Sequence, residues 1–195
     1  MIPTLTTTAL GSSSARKPLP VRDSFYLALL DRVGATGASW HPGRRGDAWS
    51  LDSVRFTILH PDTTWAGWGE DLNEDSVVLL VEYGKFRALF TGDAGMPVEA
   101  RLHGKIGKVD VLKAGHHGSK TATGSGFLAE LDPSAVVVSV GINRYGHPSP
   151  EALRRIAASG AELWRTDRDG TVEVRTDGST VWMRGDRRRQ AFGVH

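Results

Sequence analysis

The sequence predicts an α/β fold, on three observations. From about residue 76 the chain alternates short apolar runs with stretches of helical period, and such a β-α repetition argues for parallel strands covered by helices. Its 195 residues are one domain by size, enough for a single substantial core. Its composition, 39% hydrophobic and 24% charged with no cysteine, is that of an ordinary globular protein and excludes a disulfide scaffold and a cysteine nucleophile.

In chain order, residues 1–20 are a Thr/Ser/Pro-rich lead without hydrophobic period, expected to be disordered or a linker. From Asp23 a helical period places Phe25, Tyr26, Leu29, Leu30 and Val33 on one face, ended by Gly34 and Gly37. Strands are expected at about 47–51 and 54–59, stopped by His60-Pro61 and followed by a polar loop over 62–75. Strands at 76–83 and 86–90 then flank a tight turn at Gly84-Lys85. Helix 95–104, strand 109–114, helix 124–131, strand 135–140, helix 150–159 and strand 161–165 make up the alternation, with Ser149 and Pro150 suited to start the last helix. Two short strands, about 171–175 and 180–183, close the chain across Asp177-Gly178. The expected divisions are a lead 1–20, a folded domain 21–184 and a basic tail 185–195.

The net charge of +2 is distributed unevenly. Arg184, Arg187, Arg188 and Arg189 against Asp186 contribute +3 and Arg16 with Lys17 contributes +2, which leaves residues 21–183 at −3. No nucleic-acid-binding face follows from such a balance, and the arginine cluster reads as a solvated, frayed tail. No apolar run reaches about eighteen residues and no basic segment leads into an apolar one at the N-terminus, so neither a membrane span nor a secretory signal is expected, and the compartment defaults to the cytoplasm. Without cysteine, any bound metal takes His, Asp or Glu.

In an alternating α/β sheet, reactive groups collect in the loops that leave the carboxyl ends of strands. Four successive exits carry candidates: Thr91-Gly92-Asp93, His116-His117-Gly118-Ser119, the stretch Asn143 to His147, and Asp167 to Gly170. Such carboxylate and imidazole groups bind zinc, manganese or iron. Singly, each has a plainer account. Thr91-Gly92-Asp93 is a turn whose Asp93 caps the next helix, and adjacent histidines in an extended strand face opposite ways, which makes one structural and one reactive unless Gly118 bends the chain. Asp167 to Gly170 reads as a hairpin turn. Pro148 keeps His147 in the loop before the helix. Their coincidence at successive exits favours a site. His41 and His60 precede proline and point to turns, His103 lies near a helix end, and His195 is terminal; none is assigned a role. Trp40, Trp49, Trp65 and Trp68 read as hairpin or core packing in preference to a base-stacking platform.

The runs DLNEDSVVLLVEYGKFRALFTGDA, VDVLKAGHHGSKT, VVVSVGINRYGHPSPEAL and WRTDRDGTV, taken together, resemble the C-terminal half of the metallo-β-lactamase-fold hydrolase domain of ComEC-like competence proteins, over about residues 21–183. The resemblance implies a four-layer αββα sandwich, here its second half plus part of the first, with a metal site at the sheet edge. It implies a metal-dependent hydrolase of DNA or another phosphodiester, linked to DNA uptake. On the same ground Asp93, His147 and His116 are metal ligands, with Asp93 the bridging one, and His116 and His117 are catalytic. Asn73, Ser119 and Asn143 match polar positions that shape the substrate loops. The implied cofactor is a divalent metal, zinc or manganese; the implied partners are single-stranded DNA or another phosphodiester, and an upstream polypeptide that supplies the missing half. In a ComEC-like parent the domain lies outside the bilayer.

One departure stands against this. The family's first half carries a His-rich signature of the form HxHxDH, and no such run is present here. Two ions need about six protein ligands, whereas this sequence offers Asp93, His116, His117 and His147, with Asp167 a poor fifth. The expectation is therefore of a fragment or a degenerate, non-catalytic homologue as the alternative to an enzyme, with apolar surface left exposed.

Overall fold

The computed structural model describes residues 24–36, 43–62 and 72–195. The lead 1–20 and Trp40, His41, Trp65 and Trp68 lie outside them. Helix α1 (Ser24–Ala35) is followed by two antiparallel hairpins, β1 (Ala48–Leu51) with β2 (Val54–His60) and β3 (Val78–Tyr83) with β4 (Phe86–Phe90). Three crossovers come next. α2 (Met96–Leu102) leads to β5 (Val111–Lys113), α3 (Ser125–Leu131) to β6 (Ala135–Val138) and α4 (Pro150–Ala158) to β7 (Glu162–Arg165). Each of these strands lies parallel to its predecessor, and the seven strands stand in sequential order. A short helix α5 (Thr166–Asp169) then precedes a separate antiparallel sheet of β8 (Glu173–Thr176), β9 (Thr180–Arg184) and β10 (Arg189–Gly193), ordered β10-β9-β8.

The alternation of side chains along each strand explains why β4 to β7 are apolar almost throughout. Leu89, Leu112, Val136 and Val138 point to one face and pack with Val98, Leu102, Phe127, Leu128, Leu131 and Ile156 from α2, α3 and α4. Phe86, Ala88, Val111, Ala135 and Trp164 point to the other and meet Val181 and Met183 of β9. Each fully buried side chain of this kind contributes about 1.5–3 kcal/mol. The α/β class is met, by a mixed sheet with helices on one face and a second sheet on the other. Among the described residues the outer face of the smaller sheet is exposed and carries no further helical layer. No helix among them is long and apolar enough to cross a membrane.

Local chemistry sets the boundaries. α4 begins where expected, with Ala152 N–H donating to the Ser149 hydroxyl at 3.1 Å and Pro150 in the first turn. His60 ends β2 as a buried strand residue and donates from Nε2 to the Glu74 carbonyl at 2.8 Å, so it belongs to the packing and not to a free turn. Trp49 stacks on Phe56 across the first hairpin at 5.2 Å, as hairpin packing predicts. In α1, Leu29 of the expected apolar face is exposed.

The C-terminal residues depart from the frayed tail that their charge suggests. β10 pairs with β9 from Arg189 opposite Arg184 to Gly193 opposite Thr180. Arg188 lays its guanidinium 3.6 Å over the Trp164 ring and ion-pairs with Glu162 and Asp169, both at 3.3 Å. His195 N–H donates to buried Asp110 at 3.0 Å, whose other oxygen accepts from Arg87 N–H. A run of arginines reads as solvated because charge patterns carry no record of an aromatic ring placed for stacking by a distant strand. Arg188→Ala is expected to cost about 1–2 kcal/mol in urea melts, and Arg187→Ala no more than about 0.5 kcal/mol; equal, negligible effects would restore the frayed tail.

Candidate active site

Three parallel strands end side by side, and the three loops that leave them meet. β4 runs out into Thr91-Gly92-Asp93, held down by Thr91 Oγ1 donating to the Lys113 carbonyl at 3.0 Å and by Asp93 N–H donating to Ser76 Oγ at 3.0 Å. Gly92 has φ +58°, and a Cβ there would stand 2.9 Å from the Ser76 Cβ, so the turn needs glycine for both conformation and space. The expectation that Asp93 caps α2 is not met: Gly95 occupies the N-cap position. The Asp93 carboxylate is left facing the second loop.

That loop, Gly115–Gly118, is a 3-10 turn in which His116 (φ 44°) and His117 (φ 54°) are both left-handed. Tandem left-handed residues other than glycine are strained by roughly 1–2 kcal/mol each. Anchors on both sides offset the strain. His116 N–H donates to the Gly92 carbonyl at 3.1 Å, Ser119 N–H to the His116 carbonyl at 2.9 Å, and Gly115 N–H to Thr123 Oγ1 at 3.1 Å. The bend turns both rings toward the neighbouring loops, in place of one inward and one outward. His117 Nδ1–H donates to the Ser139 carbonyl at 2.7 Å, which leaves Nε2 as the acceptor nitrogen, 3.5 Å from Asp93 Oδ1. The His116 ring lies 5.3 Å from that of His147.

His147 is delivered by the third loop. Asn143 closes this loop on itself, donating to the Gly141 and His147 carbonyls and accepting from Tyr145 and His147 N–H, at 2.7–3.1 Å. Ser149 N–H donates to the Gly118 carbonyl at 2.8 Å and ties the third loop to the second. Gly118 has φ +80°, and a Cβ on it would sit 2.7 Å from the Pro148 Cβ. Tyr145, 70% exposed, stacks on His147 at 6.2 Å. Nδ1 of His147 is buried with no hydrogen-bond partner.

Asp93, His116, His117 and His147 are thus brought together, and other candidates are not. Asp167 sits in α5, not in a hairpin turn, with both oxygens taken by Arg165 at 3.0 and 2.6 Å, and that guanidinium holds its carboxyl below the usual range. Ser119 is buried and bonds Thr121. Asn73 lies in the 3-10 turn Leu72–Asp75 that precedes β3. Sequence reasoning missed Lys113, whose largely buried ammonium donates to the Gly92 and Ala114 carbonyls at 3.2 Å beneath the Asp93 loop. Its signal was a lysine at the end of the apolar strand β5. Burial lowers its pKa, against the pull of Asp93.

Three imidazoles and a carboxylate have the chemistry of a zinc or manganese shell. Two ligands of one tetrahedral zinc stand about 3.4 Å apart, close to the separation of His117 Nε2 from Asp93 Oδ1, and a ring fixed through its other nitrogen to a carbonyl is the usual support for a metal-binding imidazole. The number of donors falls short, however: no three His, Asp or Glu side chains among the described residues are placed to hold one ion. The four residues form two pairs, His117 with Asp93 and His116 with His147.

Gly118→Ala is expected to destabilise the chain by about 1–3 kcal/mol and to move the His116 and His147 ring resonances; an unchanged melt and unchanged shifts would contradict the close approach of these loops. A second expectation concerns pH. Burial, then the charges of His116 and His117, lower the His147 pKa beneath the ordinary value of 6.5, and burial lowers that of His60. The native state then binds fewer protons than the unfolded chain below pH 6.5, so stability is intact above that pH and is lost as pH falls through it. Buried Glu99, raised above 4.5, acts in the opposite direction. His147→Asn should therefore flatten the acid-side loss in urea titrations at pH 8, 6 and 5; an identical slope would contradict the assignment.

No family model matches the chain. It is 35% identical over 150 residues to the ComE operon protein 3 of Bacillus subtilis (strain 168), covering 75% of this chain and 19% of that protein. It is 37% identical over 129 residues to the competence protein ComA of Neisseria gonorrhoeae, covering 64% and 18%. To the recombination protein 2 of Haemophilus influenzae it is 33% identical over 130 residues, covering 66% and 16%. The aligned part is less than a fifth of the length of each of these relatives.

Proposed function

From a chain whose homologues are ComEC-family competence proteins, we propose a segment of a metal-assisted phosphodiester hydrolase that acts on DNA during its uptake, with a metallo-β-lactamase-like sheet arrangement. The observation that carries the reading is the meeting of three strand exits, which sets His117 Nε2 3.5 Å from Asp93 and the His116 ring 5.3 Å from that of His147. Because the described residues hold two pairs of donors and not a full shell, the remaining ligands are taken to come from outside them. Asp93, His116, His117 and His147 would contribute ligands to a zinc or manganese ion, which would supply Lewis acidity and an activated water.

The chain's own residues do the rest. The Ser139 carbonyl orients His117 and fixes which of its nitrogens faces Asp93. A lowered pKa keeps His147 neutral at pH 7, with its lone pair available. His116 passes a proton to the departing oxygen. Arg144, 5.6 Å over the Tyr145 ring, and Tyr145 beside His147 give the loop a cation and an aromatic face for the nucleotide. Asn143 keeps that loop in shape, and Lys113 supports the turn that carries Asp93.

The test is manganese- or zinc-dependent cleavage of a labelled single-stranded oligonucleotide. The reading expects Asp93→Ala to lower the rate at least a hundredfold, about 2.7 kcal/mol in the barrier, without loss of fold; an unchanged rate would sink it. A second reading, a non-catalytic homologue, is favoured by the failure of any three donors to converge among the described residues. It expects no turnover with either metal and a melting temperature indifferent to chelator.

A further inference from the structure

The outer face of the smaller sheet holds a constellation that the histidine site does not use. Alternation along β9 turns Val181 and Met183 into the core and Trp182 and Arg184 outward. The antiparallel register places Arg175 of β8 on one side of Trp182 and Ala191 of β10 on the other. In the next row stand Glu173, Arg184 and Arg189. These six residues line a groove of about 320 Å³. Trp182 is 42% exposed although it occupies the central strand, and its β10 neighbour is no larger than alanine, which leaves room for a flat ring against the indole.

The charge around it is one-sided. Glu173 bonds Arg175 at 2.7 Å and stands 3.9 Å from Arg184, so one carboxylate is shared between two guanidiniums. Arg189, and Arg187 in the β9–β10 turn, have no acidic partner among the described residues. A single exposed indole on a sheet, among more guanidiniums than carboxylates, suits a ligand with planar faces and a regularly charged backbone. Unpaired nucleobases offer such faces, whereas in a duplex they are covered by their neighbours. An acidic protein would satisfy the arginines and leave the indole without a matching plane.

We propose that this face binds single-stranded DNA, with a base stacked on Trp182 and the phosphates running along Arg184, Arg189 and Arg187. The choice of DNA over RNA rests on the function proposed above; the binding surface itself does not. It gives the arginine cluster a role beyond the anchoring of Arg188, and it places strand capture on a sheet other than the one that carries the histidines.

The experiment is fluorescence anisotropy with labelled oligo(dT) of fifteen nucleotides and its duplex form, in chelator so that no hydrolysis intervenes, at 50 and 200 mM salt. Trp182→Ala is expected to weaken binding about tenfold or more, with Trp182→Phe recovering most of it. Arg184→Ala and Arg189→Ala should each flatten the dependence of log affinity on log salt by about 0.7. Far-UV circular dichroism and melting of Trp182→Ala should match the parent, since the ring is outside the core. Equal affinity of Trp182→Ala and parent, no binding by the parent, or preference for the duplex would each overturn the proposal. Because chelator is present, a failed nuclease assay leaves this result standing, and the reverse holds too.

Discussion

Burying β4 to β7 on both faces forces the chain to cross over between strands, because a parallel neighbour cannot be reached by a tight turn. Each crossover starts at the carboxyl end of a strand, so the loops after β4, β5 and β6 leave the sheet at one edge and in sequence order. The site follows from that constraint. Asp93, the two adjacent histidines and His147 are far apart along the chain, yet each lies in the loop that leaves a strand hydrogen-bonded to the next.

Within this frame, backbone chemistry decides how closely the loops approach. Glycine at 92 and 118 supplies positive φ and removes the atoms that would collide with Ser76 and Pro148. The hydrogen bonds from His116 N–H to Gly92 and from Ser149 N–H to Gly118 stitch first loop to second and second to third. Buried polar groups then do structural work around the edge: Glu99 accepts from Thr123 and Gly124 N–H, and Lys113 donates to two loop carbonyls. The left-handed pair His116-His117 is tolerated because these anchors over-determine it, and strain of that kind concentrates where side chains must be aimed.

The sheet was legible because its signals are local. Apolar runs, the Ser149-Pro150 helix start and the proline after His147 each act within a few residues, and the structure places strands and α4 accordingly. Candidate residues could be picked from strand exits for the same reason. What escaped is what depends on distant neighbours. The adjacent histidines both face the site because the turn is left-handed, which a strand's alternation does not foretell. Asp167 is consumed by Arg165, two residues away, in a geometry that a turn motif conceals. Arg188 and Trp182 owe their roles to the pairing of β9 with β10, the last event in the chain and one that a charge run disguises.

The central claim is that Asp93, His116, His117 and His147 share one site at the sheet edge. Paramagnetic broadening by manganese tests it most directly, read from the ring resonances of the seven histidines in the full chain. The account predicts that His116, His117 and His147 broaden together at low manganese and that the effect disappears in Asp93→Ala, while buried His60 and His103, paired with Glu130, stay sharp. Broadening that begins at His60 or His103, or that treats all histidines alike, would contradict it.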